Sequence, residues 1–286
     1  MGFIWFMENL GFLYAIGAAF CWGTYMVPFK MSKAQNLALY QLLIGAGILI
    51  SGVIISLLFH FSFNLNLYGL FSGFLWALAS SIFLTALLNL GLSKAAPIVS
   101  ALVIISTFLW GVLVFGEIPS GWVLGFIGIL IIIVGVIFVS TTGNTQSVNT
   151  KRGLLAAISA GLIWGGQIAP LKIGQIDTHS AFFPVCLGIF LTGAFLSAIK
   201  KIKFTKEAVG AAITSGIIWN IGNLVSLLSL SLIGLSKAFP ISQGANLVAV
   251  LWGLLYFKEI HKTRDKIQVL AGAVILITGV VILGLA

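Results

Sequence analysis

The sequence predicts an all-α polytopic membrane protein in which ten transmembrane helices form two inverted-topology repeats of five helices. Three observations lead to this fold class: an apolar composition, the positions of the basic residues and an internal repeat. Of the 286 residues, 60% are hydrophobic and only 7% are charged, and the mean hydropathy is +1.16. A soluble domain carries about 25% charged residues to cover its surface. The composition therefore excludes an ordinary water-soluble protein.

The apolar segments account for ten helices. A membrane-spanning helix needs about 20 apolar residues, and short polar or charged breaks, such as those at 30–36 and 200–206, separate segments of that length. The predicted spans, in chain order, are 9–29, 37–60, 68–90, 95–116, 121–140, 153–171, 180–199, 208–232, 236–257 and 267–285.

The basic residues predict the orientation of these helices, because lysine and arginine concentrate in loops that stay in the cytoplasm. Thirteen of the fifteen basic residues lie in the odd-numbered loops between the spans. The remaining two, Lys172 and Lys237, lie in even-numbered loops. We therefore predict a multi-pass protein of the cytoplasmic membrane, with both termini on the outer side and a cytoplasmic linker over 141–152.

The two halves of the chain are copies of each other. Residues 11–30 align without gaps to residues 153–172, with nine of the twenty positions identical, and GLSKAAPI at 91–98 returns as GLSKAFPI at 234–241. The predicted repeats cover 1–140 and 153–286. Because each repeat holds an odd number of spans, the second enters the membrane from the opposite side. Inverted repeats of this kind are typical of secondary transporters, which expose a midplane site alternately to each face.

Segments in both repeats carry a resemblance to a known family. The run GIIWNIGN at 216–223 and the segment KAFPISQGANLV at 237–248 resemble the glucose/ribose porter family of bacterial sugar uptake proteins, as do the paired ends of the first and sixth spans. The ten-span architecture is similar to that of the drug/metabolite transporter superfamily. The resemblance implies uptake of a monosaccharide across the cytoplasmic membrane, and it leaves proton coupling open.

Uncharged hydrogen-bonding side chains inside the spans are the candidates for binding a sugar, because they both donate to and accept from hydroxyl groups. The amides of spans eight and nine have no amide counterpart in the first repeat, whereas side chains that only join helices should recur in both. Hydrogen bonding between packed helices remains the alternative, and it is favoured for single serines and threonines. The candidate substrate-binding residues are Asn220, Asn223, Gln243, Asn246, Gln167 and Thr24.

Tryptophans recur at three pairs of equivalent positions. The pairs are Trp22/Trp164, Trp76/Trp219 and Trp110/Trp252. Recurrence favours packing within the scaffold, although an indole face also covers the apolar face of a sugar ring. Trp22 and Trp164 are predicted to line the substrate cavity because each lies beside a glycine that allows close helix approach.

Charged residues and prolines at the ends of the spans are candidates for gating. They form four pairs of equivalent positions: Lys30/Lys172, Lys94/Lys237, Glu117/Glu259 and Pro28/Pro170. Lipid headgroup contacts of the lysines, loop anchoring by the glutamates and bending of helix ends by the prolines are the structural alternatives. No acidic residue is predicted near the midplane, where proton relays lie. This favours facilitated diffusion, or coupling through the acids at helix ends, over a central relay.

Other function classes fit the sequence less well. No spacing of cysteines and histidines predicts a metal site, and no catalytic motif is present. We therefore expect neither a metal nor a cofactor. A membrane-embedded enzyme is the more remote alternative. The basic residues are not clustered with stacking aromatics, which argues against nucleic acid. An exporter of drugs, amino acids or other metabolites is the closer alternative. The lipid bilayer and a neutral monosaccharide are the predicted partners.

Overall fold

The computed structural model describes residues 2–32, 36–116, 121–142, 148–200, 206–233, 238 and 241–285. These residues form helices joined by short loops, and two of the helices continue into π-helical turns, Trp110–Val114 and Trp252–Tyr256. The helices are α1 (Gly2–Thr24), α2 (Val27–Ser32), α3 (Leu37–Leu58), α4 (Leu67–Leu90), α5 (Leu92–Leu109), α6 (Trp122–Ser140), α7 (Thr150–Gly166), α8 (Ala169–Ile173), α9 (Thr178–Ile199), α10 (Val209–Ile233), α11 (Ala245–Leu251) and α12 (Thr263–Gly284).

Nine segments of the described chain are long and apolar enough to cross a membrane, which confirms an all-helical, multi-pass membrane fold. The predicted count of ten is not reached, because the ninth predicted span, 236–257, differs. Its described part holds the shorter apolar helix Ala245–Tyr256, together with helical residues at 238 and 241–242. A turn at residues 243–244 precedes this helix, and residues 234–237 and 239–240 lie outside the described part.

The first and sixth spans are each interrupted near one end. Two residues separate α1 from α2, and two residues separate α7 from α8. Pro28 and Pro170 lie in the first turns of α2 and α8. A proline has no N–H to bond the carbonyl of the preceding turn, so both prolines favour a break at this point. The sequence predicts a bend at each proline but not the two-residue interruptions.

The helices of the two halves pack in matching pairs. Helix α1 packs on α10 as α7 packs on α4, and α3 packs on α10 as α9 packs on α4. Helix α5 likewise packs on α7 as α11 packs on α1. Equivalent helices also contact each other across the halves: α3 with α9, α5 with α11, and α6 with α12.

Four glycines allow two of these matching contacts to be close. They are Gly47 of α3 and Gly216 of α10 at one contact, and Gly188 of α9 and Gly73 of α4 at the other. A Cβ atom at any of them would lie 2.2–2.3 Å from a backbone carbonyl oxygen of the facing helix. Close backbone approach through small residues is a common way for membrane helices to associate.

Candidate functional site

A cavity of about 480 Å³ lies between the two halves. Helices α1, α4 and α5 contribute lining residues from the first half, and α7, α10, α11 and α12 contribute them from the second. The volume lies within the range of small-molecule sites, about 300–1,000 Å³. Among the described residues that line the cavity, none carries a charged side chain. The site is therefore suited to a neutral ligand.

Four aromatic side chains, which we call the aromatic wall, line one side of the cavity: Trp76, Phe83, Trp164 and Trp219. The ring centroids of Trp76 and Trp219 lie 4.4 Å apart, and Trp164 lies 5.8 Å from Trp76 and 5.3 Å from Phe83. The indole N–H of Trp164 donates to the backbone carbonyl of Trp76 at 3.1 Å. The wall therefore joins α4 to both α7 and α10.

Another aromatic residue of the lining, Trp22, is held by a hydrogen bond to the second half. Its Nε1 donates to Oδ1 of Asn223 at 3.1 Å, and both residues line the cavity. A Cβ atom at Gly222 would lie 2.6 Å from the Trp22 ring, so this glycine lets the indole lie against α10. Trp22 takes one of the two lone pairs of the Asn223 carbonyl oxygen, so the N–H₂ group and the second lone pair can meet a ligand.

Three further amides line the cavity where helices are interrupted or begin. Gln167 lies at the break of the sixth span, Gln243 lies in the turn before α11, and Asn246 lies in the first turn of α11. Within the described part of the chain, no hydrogen bond uses the side chains of these three residues. Discontinuous membrane helices commonly form the substrate sites of secondary transporters. Tyr25 lies in the cavity at the break of the first span, the position equivalent to Gln167.

Two of the predicted substrate-binding residues do not line the cavity. Asn220 is fully buried between α10 and α3, where its Nδ2 donates to the Ile48 carbonyl at 3.2 Å and to the Ser51 hydroxyl at 3.1 Å. Thr24 accepts a hydrogen bond from Nε1 of Trp252 at 3.0 Å. Both contacts join helices, which is the alternative that the sequence left open.

The predicted gating residues of one pair lie at different ends of the molecule. Lys30 forms an ion pair with Glu259 beside the N-terminus of α5. Lys172, its repeat counterpart, lies with Nζ 4.4 Å from the ring centroid of Phe115. Glu117, the counterpart of Glu259, lies outside the described residues.

Lys94 is buried at the end of a span. Its Nζ donates to the backbone carbonyl of Thr142 at 2.5 Å, which ties α5 to the chain that follows α6. Its repeat counterpart, Lys237, lies outside the described residues. Lys94 is therefore a contact between helix ends in this structure and does not reach the cavity lining.

Several residues that line the cavity were not predicted to do so, among them Trp76, Trp219 and Tyr25. Trp76 and Trp219 were expected to be scaffold, and of the two neighbouring polar residues of the first span, Thr24 and Tyr25, only Thr24 was selected. A signal for them was present, because the repeat pairs Trp76 with Trp219 and Tyr25 with Gln167. Extending each predicted cavity residue to its counterpart in the other repeat would have found Tyr25.

Comparison with known proteins agrees with this arrangement. A family model described as "Sugar transport protein" matches residues 13–286. A protein of Bacillus anthracis named for sugar uptake is 29% identical over 96% of this chain and 99% of its own length, and the glucose uptake protein GlcU of Bacillus subtilis is 28% identical over 84% of this chain and 88% of its own. A crystal structure with 15% identity and a TM-score of 0.63 covers 96% of this chain and 98% of its own, which shows similarity of fold. The chain belongs to the sugar transport protein family.

Proposed function

We propose that the protein carries a small neutral sugar of the glucose or ribose class across the cytoplasmic membrane by alternating access. The observation that carries the proposal is the cavity, which combines indole rings with neutral amides and has no charged side chain among its described lining residues. Indole faces cover the apolar C–H faces of a sugar ring, and amides bond to its hydroxyl groups. The names of the relatives support the same class of substrate.

The substrate would bind with its ring against the aromatic wall and its hydroxyl groups toward the second half. Asn223, Gln243 and Asn246 supply three amides from α10 and the start of α11, and Gln167 supplies a fourth from the break of the sixth span. Equivalent positions of the first half offer Tyr25 and two serines but no amide. The hydrogen-bonding capacity of the site is therefore concentrated on one side.

Alternating access would follow from the two inverted repeats, 1–140 and 153–286, joined by the linker over 141–152. The matching helix contacts of the two halves support this arrangement, as do the matching breaks at 25–26 and 167–168. In the ten-span topology, α11 belongs to the ninth span and both termini lie on the outer side. The uneven distribution of basic residues supports that orientation.

Uptake into liposomes that contain the purified protein tests the proposal. Labelled glucose, ribose and other monosaccharides are supplied with and without a proton gradient, and liposomes without protein serve as the control. We expect saturable uptake that excess unlabelled sugar inhibits, and the dependence on the gradient distinguishes coupled transport from facilitated diffusion. Uptake of an amino acid or an amphipathic drug without saturable flux of any sugar would overturn the proposed substrate.

A further inference from the structure

A buried carboxylate caps the N-terminus of a cavity-lining helix. Glu259 is 2% exposed, and its oxygens accept hydrogen bonds from the N–H of Leu92 at 2.7 Å, the N–H of Ser93 at 2.8 Å and the hydroxyl of Ser93 at 2.5 Å. The first N–H groups of a helix have no partner within the helix, and a negative charge there is favourable. Gly91, with φ of +80°, leaves room for the carboxylate, because an added Cβ at this position would lie only 2.8 Å from it.

The same carboxylate holds a second helix end. Lys30, from α2, forms an ion pair with Glu259, and its Nζ also lies 4.6 Å from the ring centroid of Phe257. The hydrogen bond from Trp252 to Thr24 also joins the segment 252–260 to the end of α1. Helix α2, the N-terminus of α5 and the segment 252–260 are thereby tied together.

This cluster lies directly behind one end of the cavity. Leu92, whose N–H bonds to Glu259, lines the cavity, and so does Met26 at the break before α2. Lys30 and Glu259 themselves are outside the lining. At its other end the lining reaches Phe108, in the last turn of α5. A substrate that leaves past Leu92 therefore has to separate α5 from α2 or from the segment 252–260.

A buried ion pair is a weak source of stability, because the cost of removing two charges from water offsets their attraction. The best-attested use of such pairs is to select one of two arrangements. Lys30 and Glu259 join helix ends that must part during alternating access, so a selecting role suits their position.

We propose that Glu259 is the positioning residue of a latch, formed with Lys30 and Ser93, that keeps this end of the site closed. The proposal rests on the proposed alternating access, and in the predicted topology this end faces the cytoplasm. The repeat pairs Glu259 with Glu117 and Lys30 with Lys172. Lys172 lies over Phe115 as Lys30 lies over Phe257, but Glu117 is outside the described residues, so the latch is proposed at this end alone.

A single cysteine in the cavity tests the latch without any sugar. In a Cys21→Ser, Cys186→Ala background, Ser100→Cys places one thiol in the lining. A membrane-impermeant maleimide is applied to either side of oriented vesicles. Glu259→Gln keeps the size of the side chain but removes its charge, and we expect about tenfold faster labelling from the cytoplasmic side and slower labelling from the outer side. Thr278→Val, on the exposed side of α12, is the control variant, and we expect it to leave labelling from both sides unchanged.

Lys30→Met is the second variant, because it opens the ion pair but leaves the helix cap in place. We expect it to shift labelling in the same direction as Glu259→Gln, by a smaller factor. Unchanged labelling in Glu259→Gln and Lys30→Met, or an equal shift in the control variant Thr278→Val, overturns the latch. Sugar uptake is measured on the same preparations. Its absence together with the predicted labelling shifts supports the latch and contradicts the proposed substrate.

Discussion

The two halves of the molecule share their scaffold but differ where they face the cavity. Their helices pack in matching pairs, and the close glycine contacts and the paired tryptophans occur in both. The polar residues at the cavity do not match, and the equivalent pairs are Tyr25/Gln167, Ser80/Asn223, Ser100/Gln243 and Val103/Asn246. The proposed function assigns packing and rearrangement to the features that the halves share, and ligand binding to the residues in which they differ.

The largest expected effect is a loss of stability when a substitution disturbs the close glycine contacts that both halves share. Gly47→Ala and Gly188→Ala each bring a Cβ to 2.3 Å from a carbonyl oxygen of the facing helix. Overpacking of this kind costs about 1–3 kcal/mol of unfolding free energy. We expect both variants to lower the thermal unfolding midpoint in detergent by similar amounts.

Gly210→Ala is the matched control for this comparison, because an added Cβ there meets no atom within 4 Å. We expect it to leave the unfolding midpoint unchanged or slightly higher. A large loss in only one of Gly47→Ala and Gly188→Ala would show that the halves do not share one packing scheme.

A smaller effect, on the KM for sugar uptake, is expected to differ between the equivalent residues Trp22 and Trp164. Trp22→Phe removes the donor that holds the Asn223 side chain, whereas Trp164→Phe removes a donor to the backbone carbonyl of Trp76, which α4 already fixes. One neutral hydrogen bond contributes about 0.5–1.5 kcal/mol. We therefore expect Trp22→Phe to raise the KM for sugar uptake roughly twofold to tenfold and Trp164→Phe to raise it less. Equal changes in KM would contradict the proposal that the Asn223 side chain, held by Trp22, binds the sugar.

The sequence predicted the fold and the site best where the backbone is regularly helical, and less well where it turns. Asn223 was predicted for the cavity and lies there, and Asn220, three residues away, contacts α3 instead. Residues three apart differ by about 60° in direction around a helix, which is enough to change the neighbour that they meet. The turn at Gln243 was not predicted, although Ser242 and Gly244 flank it, because glycine is frequent inside continuous membrane helices.

The smallest effect concerns two equivalent helix caps of different charge. Asn36 accepts a hydrogen bond from the N–H of Leu39, and Asp177 accepts from the N–H and hydroxyl of Ser180. The backbone N–H of Ser180, followed by its hydroxyl, lowers the pKa of Asp177 below its ordinary value of 3.8. The charged cap therefore stabilises the fold fully above that value, and the stabilisation is lost as the pH falls through the lower pKa of the folded state.

Asp177→Asn removes this pH dependence, because an amide cap like that of Asn36 does not titrate. We expect the unfolding midpoint of the parent protein to fall more steeply than that of Asp177→Asn as the pH decreases from about 5 to about 2. Parallel pH profiles would show that the charged cap adds nothing to the neutral one.

The most direct test replaces cavity-lining residues of the second half with the residues at the equivalent positions of the first half. In Gln243→Ser with Asn246→Val, both amides are replaced by their first-half counterparts, and Thr278→Val, on the exposed side of α12, is the control. KM for labelled glucose is measured in liposomes. Two lost hydrogen bonds predict a KM raised roughly tenfold or more in the double variant and unchanged in the control. A double variant with the KM of the parent protein would contradict the assignment of the substrate to the amides of the second half.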